Sequence, residues 1–517
     1  MIKPDKSGLY HPRNEKDVVE LIQHAIKAKL QLRVRGAAQS PNASVFADGF
    51  DPAKGPGKNI NIQLDQIHSV VINKKKKQVT VGAGCHLGQD PGDPTDPLSG
   101  ENGLLAQLDQ SGLALPNVPD EIHQTIGGFI STGSAGGSMT HSFDSCILSV
   151  RMVDGTGAAR TFSKTRNLDD PFYGVVVSMG LLGIITSVTL QCVPAFDVAG
   201  IEATTFVPDC PYDFLGKGDK KRLSAMQFFN RTEFTRTMWW PFKTLNRVVV
   251  WQAEKLPPSK KFTAKPYQSI FPSVGGSTMP AETVAAAGFT LIASWPSWFY
   301  NMLGLTPQTA PPIIGFAQAG IEKAFPFIYP ILINMFMPVN NASSPAKQFQ
   351  DRWYRALPMD KAEFSNSLFN LAYAEMWMPV DKTHNILNAM QIFYNQKGFA
   401  ATGFFTTEIF AAKSSNFWLS PAYKQDSVRI NLLWFGAGIG DPMAYFQEFW
   451  TLLAKYKYRP HWGKSLPPAD KAGNNVKYLK ARYPKWSQWM KLRNQMDPNK
   501  IFVTSYWQSQ LGIETKS

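Results

Sequence analysis

Three glycine-rich stretches in this 517-residue chain have the composition of anion sites. The first is "RGAAQS", Arg35 to Ser40, directly after the strand-like "LRV". Gly36, Ala37 and Ala38 leave its backbone open to close approach, and its successive N–H groups can converge on a phosphate. Gln39 and Ser40 end the stretch. The second, "TIGGFISTGSAGGS", packs five glycines into the fourteen residues from Thr125 to Ser138. It adds the hydroxyls of Ser131, Thr132 and Ser134 to its backbone donors. The third, "VTVGAGCHLGQD", places Gly82, Gly84 and Gly88 after a strand. Its spacing is G-x-G-x-x-x-G and "QDPGDPTDP" follows, which cannot start a helix, so a dinucleotide fingerprint is excluded and a turn at a strand end is expected. The first two loops together could clamp one diphosphate from both sides.

Short strands and helices must position these loops. "NEKDVVELIQHAIKAKL" predicts a helix capped by Asn14, with Val18, Leu21, Ile22, Ala25 and Ile26 on one stripe. "NINIQL", "HSVVIN" and "QVTVGAG" read as strands. The last two form a hairpin whose tip is the basic run Lys74 to Lys77. "ILSVRMVDGTGAARTFS" is a second hairpin around an Asp-Gly turn. "DPFYGVVVSMGLLGIITSVTLQC" holds a short helix, a glycine turn and a strong strand. Residues 89–102 are rich in Pro, Gly and Asp and read as loop. Beyond about residue 196 aromatic residues, Met and Pro become dense, and residues 255–345 are apolar but broken by Pro. Later, "HNILNAMQIFYNQ" and "DPMAYFQEFWTLLAKY" predict helices, and "DSVRINLLWFGA" predicts a strand. "YPKWSQWMKLRNQMDPNKIF" predicts a helix ended by Asp497-Pro498.

A hydrophobic fraction of 44% and 14 tryptophans supply ample cores, and the length predicts two or three domains. The net charge of +14 points to an anionic ligand or membrane surface. Nucleic acid is not expected, because the longest basic run is a hairpin tip. Cys85, Cys146, Cys192 and Cys210 lie far apart with no C-x-x-C spacing, so neither a metal site nor a disulfide framework is expected. The polar N-terminus and the lack of a long apolar run predict a cytoplasmic protein without signal peptide or spanning helix.

The ordered set "RVRGAAQS", "VTVGAG", "ALPNVPDEIHQTIGGFISTGSAGG", "VRMVDGTG" and "SMGLLGIITSVTL" resembles the FAD-binding domain of the vanillyl-alcohol oxidase superfamily. "TTEIFAAKSSNFWLSPAYKQDSV", "YRPHWGKSLP" and the C-terminal helix resemble its sugar-alcohol and aldonolactone oxidase branch. The resemblance implies an α+β fold in which a two-lobed FAD-binding domain of the PCMH type carries an α/β cap. It implies an FAD-binding domain over 1–195 and a substrate-binding cap over 196–454, with an apolar insertion near 255–345. A C-terminal segment over 455–517 would complete the FAD domain. The cofactor would lie against Arg35, Gly36, Ala37, Ala38, Gln39 and Ser40, and against Pro116. Thr125, Gly127, Gly128, Ser131, Thr132 and Ser134 would face it with backbone amides of 127–134 on the pyrophosphate. Gly183, Ile184 and Ile185 would lie by the adenine.

Departures from the family pattern are informative. Members with covalent flavin carry His where this chain has Gln39, so noncovalent FAD is expected. Ala135 stands where relatives often have a second His. The Glu-x-Arg pair of sugar-alcohol oxidases reads Glu408-Ile409-Phe410 here, and Asn431 and Leu433 stand at polar positions of the next strand. "HWGK" is intact, as His461 to Lys464. By analogy Glu408 would take or orient the substrate hydroxyl proton, with Asn431 beside it, and Lys464 with His461 would stabilise the charge of the reduced flavin. Phe410 and Leu433 predict a pocket too apolar for a polyol, since each unpaired buried hydroxyl costs about 1–3 kcal/mol. The expected substrate is a hydrophobic alcohol, lipid-like or aromatic, entering by the apolar insertion, with O2 as acceptor and peripheral contact with a membrane. Two rival readings are a dehydrogenase serving a quinone or protein acceptor, and a non-redox binding module on the same fold.

Overall fold

The computed structural model describes residues 2–88, 102–243, 245–257, 259, 261–267, 333–334, 337–359, 371–398, 406–434, 441–470 and 472–514. The first sheet is parallel, in the order β1 (Leu9–Tyr10), β3 (Ile60–Gln63), β2 (Leu32–Arg35). The helix Glu15–Ala28 connects β1 to β2. Asn14 caps it by accepting the Asp17 N–H at 3.1 Å, and its stripe of Val18, Leu21, Ile22 and Ala25 is buried.

A five-stranded antiparallel sheet follows, in the order β4 (Val70–Asn73), β5 (Gln78–Gly82), β9 (Gly183–Gln191), β7 (Ile147–Asp154), β8 (Ala159–Ser163). Lys74 to Lys77 turn the β4–β5 hairpin. At the β7–β8 turn the Asp154 carboxylate accepts the N–H groups of Thr156 and Ala158. β6 (Leu113–Ala114) and β10 (Val193–Pro194) form a separate short pair. One apolar core joins these layers to the C-terminal helices Asn474–Arg482, Trp486–Met496 and Ser505–Leu511, through Leu479, Trp489 and Trp507. The C-terminal chain also docks directly on β2, where the Leu32 N–H donates to the Ile501 carbonyl at 2.7 Å.

The remaining strands make one eight-stranded antiparallel sheet. They are β11 (Asp197–Phe206), β12 (Phe234–Trp240), β13 (Arg247–Leu256), β14 (Lys347–Arg352), β15 (Ala372–Pro379), β16 (Thr407–Ala412), β17 (Ser427–Trp434) and β18 (Arg459–Pro460). Their order is β14-β11-β13-β12-β16-β17-β15-β18. Strand side chains alternate between faces. Ala374, Met376 and Met378, Ile409 and Ala411, and Val428, Ile430 and Leu432 make one apolar face, packed on the helices Thr383–Lys397 and Pro442–Leu453. The residues between them face the other way, toward the glycine-rich loops.

The apolar stretch expected to admit substrate falls mostly outside the described residues, as does most of the loop at 89–102. Among the described residues no helix is long and apolar enough to cross a membrane. All four cysteines are buried and free.

Candidate active site

A cleft runs from the loop after β2 to the polar face of the eight-stranded sheet. At one end lie Gly36 to Ser40. Their backbone N–H groups donate to no acceptor among the described residues, so they are available to an anion. Ala38 adopts φ 56°, a left-handed conformation that strains a residue with a Cβ, and such turns aim successive amides inward. The loop is anchored from below by Arg33. Its buried guanidinium donates to the carbonyls of Ser44, Met179, Phe502 and Gly180, at 2.6, 2.8, 3.1 and 3.3 Å. Burial lowers the Arg33 pKa to about 10. Arg35 lines the cleft and binds the Gln63 side chain.

The second glycine-rich loop crosses the first at close range. A Cβ on Gly36 would stand 2.1 Å from Thr125 Oγ1, so only glycine fits at that crossing. Thr125 caps the helix Ile126–Ser131, which the sequence reading treated as loop. A contact with the turn after β5 and the helix cap spend two of the amides expected to face a pyrophosphate. Gly127 N–H donates to the Ala83 carbonyl at 2.9 Å, and Gly128 N–H to Thr125 Oγ1 at 3.3 Å. The Ser131 hydroxyl donates to the Gly127 carbonyl, and Thr132 and Ser134 hydrogen-bond to each other. Gly127, Gly128, Ser131, Thr132 and Ser134 all line the cleft, but the amides of Gly127 and Gly128 are spent within the fold, whereas those of Gly36 to Ser40 are not spent among the described residues. Further on, Gly137 presses on β12, where a Cβ would meet the Thr235 carbonyl at 2.2 Å.

At the other end, strand register sets the residues in rows. Met238 on β12 pairs with Glu408 on β16, Glu408 with Asn431 on β17, and Asn431 with Glu375 on β15. Two residues along, Phe410, Arg429 and Trp377 form the next row; two residues the other way, Leu433 pairs with Tyr373. The polar row is one hydrogen-bonded chain. Asn431 Nδ2 donates to Glu408 Oε2 at 2.7 Å, and Asn431 Oδ1 accepts from Lys464 Nζ at 3.0 Å. Lys464 also donates to Glu375 Oε2 at 2.7 Å, and Arg429 Nε donates to Glu375 Oε1 at 2.7 Å. A carboxylate on one side and an ammonium on the other fix the amide orientation of Asn431. Arg429 is sandwiched between the rings of Trp377 and Phe410, at 4.6 and 4.7 Å. Arg236 stands 3.9 Å from Glu408.

The charges are mutually sustained. Burial pushes the Glu375 pKa up, but Arg429 and Lys464 outweigh it and hold the carboxylate well below its ordinary range. Burial likewise opposes the Lys464 charge, and Glu375 outweighs it to raise the pKa. His461 behaves differently. Burial lowers its pKa to about 3, so the ring is neutral at physiological pH. Its Nδ1 accepts the Gly463 N–H at 3.1 Å, which leaves the proton on Nε2, donated to Ser134 Oγ at 2.9 Å. His461, expected to share in catalysis, has both ring nitrogens engaged and fastens the second loop to the end of β18.

Of the residues singled out from sequence, Glu408, Phe410, Asn431, Leu433, His461 and Lys464 meet in this cleft, with Gly36 to Ser40, Gly183 and Ile185 along it. Pro116 and Ile184 do not line it; Ile184 is fully buried in the apolar core. Glu375, Arg429 and Tyr373 escaped the sequence reading. Their signal was alternation: Tyr373, Glu375 and Trp377 share one parity on β15, as do Arg429, Asn431 and Leu433 on β17. They also correct the expected polarity of the pocket. Phe410 is apolar, but its neighbour in the row is an arginine.

Comparison with known proteins bears on what this cleft holds. The D-arabinono-1,4-lactone oxidase family model matches residues 317–510. L-gulonolactone oxidase of Mus musculus is 23% identical over 504 residues, covering 96% of this chain and 93% of that protein. Alditol oxidase of a Streptomyces species is 23% identical, covering 90% and 89%. The crystal structure of cholesterol oxidase from B. sterolicum superposes with a TM-score of 0.68 at 17% identity, covering 98% of this chain and 96% of that one. These matches fit the vanillyl-alcohol oxidase superfamily of flavoproteins. Within the superfamily, the family model and the relatives fit the sugar-alcohol and aldonolactone oxidase branch, and the mixed helix-and-sheet fold is similar to that of cholesterol oxidase, a PCMH-type FAD-binding architecture with a cap. The relatives are named as oxidases and a dehydrogenase of aldonolactones or alditols, the dehydrogenase being L-gulono-1,4-lactone dehydrogenase of Mycobacterium tuberculosis. The cleft fits the FAD that the resemblance implies: unspent amides in a strained turn suit the pyrophosphate, and the Lys464 ammonium at the polar row suits the negative charge that a reduced flavin acquires.

Proposed function

We propose that this flavoprotein takes hydride from the CH–OH of an alcohol whose reacting hydroxyl meets Glu408, Asn431 and Lys464. When bound, FAD supplies the hydride acceptor. The protein's part is to orient the hydroxyl and receive its proton. Glu408 is the acceptor for that proton, because its carboxylate lines the cleft and is steadied by Asn431 Nδ2 at 2.7 Å. Lys464 keeps a positive charge beside the cofactor and, through Asn431, sets the Glu408 rotamer. The observation that carries this reading is the unbroken hydrogen-bonded chain Glu408–Asn431–Lys464–Glu375, in which Glu408, Asn431 and Glu375 share one row of the sheet and Lys464 reaches them from the chain after β18.

The substrate body is weakly polar, a lipid-like or aromatic alcohol. Leu371, Met238, Leu433 and Tyr373 line the cleft beside the polar row, while Arg429 and Glu375 are spent on each other. A second reading, a polyol or aldonolactone as named for the relatives, is favoured by the number of charged groups behind that wall. A flavin-reduction screen of hydrophobic alcohols against polyols and aldonolactones decides between them, and polyol turnover as the main activity overturns the first.

O2 is the proposed acceptor. Reoxidation of the reduced protein by air over minutes rather than seconds would replace it with a quinone or protein acceptor. FAD is bound noncovalently, because the Gln39 amide is no nucleophile for the flavin. Acid precipitation should release the yellow colour into solution, and colour retained by the pellet refutes this. The proposed division is an FAD-binding domain over 1–195, a cap over 196–454 and a returning segment over 455–517.

A further inference from the structure

Lys464 and the second glycine-rich loop meet at a single side chain. Glu375 is fully buried on β15, and each of its carboxylate oxygens takes a different cation. Oε1 accepts from Arg429 Nε at 2.7 Å, and Arg429 Nη1 continues to the carbonyls of Ala135 and Gly136, at 2.7 and 3.3 Å. Oε2 accepts from Lys464 Nζ at 2.7 Å, and Lys464 continues to Asn431 and so to Glu408. The Glu375 backbone carbonyl accepts the His461 N–H at 3.0 Å, and His461 binds Ser134 of the same loop.

We propose that Glu375 is a positioning residue that ties the loop 133–137 and the Lys464 cation into one rigid unit, so that one carboxylate sets both the cofactor's bed and the charge beside it. This rests on the reading that Lys464 faces the flavin. A carboxylate can accept from two cations at once; a glutamine has one acceptor oxygen and turns an NH2 donor toward the other cation. The charged and titratable groups around Glu375 are Arg429 on β17, Lys464 and His461 after β18, Tyr373 on its own strand, and Glu408 with Arg236 beyond Asn431. Of these, Lys464 is the cation most dependent on Glu375, since Arg429 keeps two aromatic faces and two carbonyls.

The test is the reduction potential of the bound FAD between pH 7 and 10 in the purified holoprotein, for wild type, E375Q and K464M. The expected result is a gap between wild type and E375Q that widens as pH rises, because Lys464 deprotonates within that range only in E375Q. E375Q should then approach K464M at the alkaline end. A constant offset, or none, overturns the proposal, even with a lowered melting temperature. If K464M itself leaves the potential unchanged, the reading of Lys464 fails instead. The second arm is R429M, which keeps the Glu375–Lys464 pair but releases the loop. R429M is expected to raise the FAD dissociation constant at least tenfold without a widening gap in potential. If E375Q does not accumulate as holoprotein, R429M alone decides, and wild-type FAD affinity in R429M overturns the proposal.

Discussion

Replacing Asn431 by Asp separates the two halves of the polar row. The side-chain shape is kept, but the Nδ2 that donates to Glu408 at 2.7 Å becomes a second carboxylate oxygen. Two unit charges at that separation repel by roughly 6 kcal/mol at an effective dielectric near 20. The other oxygen lies 3.0 Å from Lys464, where attraction of nearly the same size, roughly 5–6 kcal/mol, sustains the new Asp. The penalty therefore falls on Glu408. It also loses a charge-assisted hydrogen bond, while Arg236 at 3.9 Å is present before and after the substitution. At 1.36 kcal/mol per pKa unit that repulsion corresponds to a rise of about 4–5 units in the Glu408 pKa. A carboxyl that must be ionised to take the hydroxyl proton would then be protonated at neutral pH. The expected outcome for N431D is flavin-reduction activity lowered about a hundredfold or more at pH 7, recovering toward pH 9 as a new rising limb in kcat/KM. N431Q, which keeps a donor, should show the loss without the new limb. The assay is anaerobic stopped-flow flavin reduction from pH 6 to 9.5 with the best alcohol from the screen. An N431D profile parallel to wild type would refute the assignment of Glu408 as proton acceptor.

Other outcomes follow from the loops and the buried charges. Arg33→Met strands four carbonyls that accept from one guanidinium, so unfolding stability should drop by about 3 kcal/mol or more in urea titrations. Ala38→Gly relieves a left-handed Ala and should stabilise the apoprotein by about 1 kcal/mol; no gain would argue against strain at that turn. Gly36→Ala drives a methyl into Thr125 and should abolish FAD retention, with partial recovery in G36A/T125S excluded and in G36A/T125G expected. His461 has a folded pKa near 3 against an unfolded value near 6.5, so below pH 6.5 the unfolded chain binds the extra proton. Wild-type stability should therefore fall relative to H461Q between pH 6.5 and 3, by up to about 1.4 kcal/mol per pH unit, and a difference independent of pH would contradict a neutral buried ring.

Much of the scaffold was legible because its signals are local. The Asn14 cap, the Asp-Gly hairpin and the alternation of "SVRINLLW" each specify structure from a few adjacent residues. The site was legible in part. Glu408, Asn431 and Lys464 came from motif resemblance, and they do share a cleft. Glu375 was not seen, because a lone Glu within "AYAEMWMP" gains meaning only from its neighbours, and β15 lies between β17 and β18 by a strand order no local pattern encodes. Arg429 was missed for the same reason, so the pocket was read as less polar than it is. The amides of Gly127 and Gly128 were credited to a ligand because "TIGGFIS" was read as loop; the cap residue Thr125 was the available sign that a helix cap would consume that of Gly128.

The row geometry of the eight-stranded sheet also bears on how such proteins diverge. In a wall of this kind the address of a side chain has two coordinates, strand and row, and linear comparison reads only the first. The cation absent from position 410 by that comparison has a counterpart one strand over, with the Arg429 guanidinium 4.7 Å from the Phe410 ring. Charges can thus migrate sideways between strands at constant depth in the cavity, and the chemistry of relatives at this distance is better compared by lattice position than by alignment column. The same lattice sets a parity rule for insertions. One residue gained within β15 or β17 would exchange the polar and apolar faces, whereas two would only slide the row.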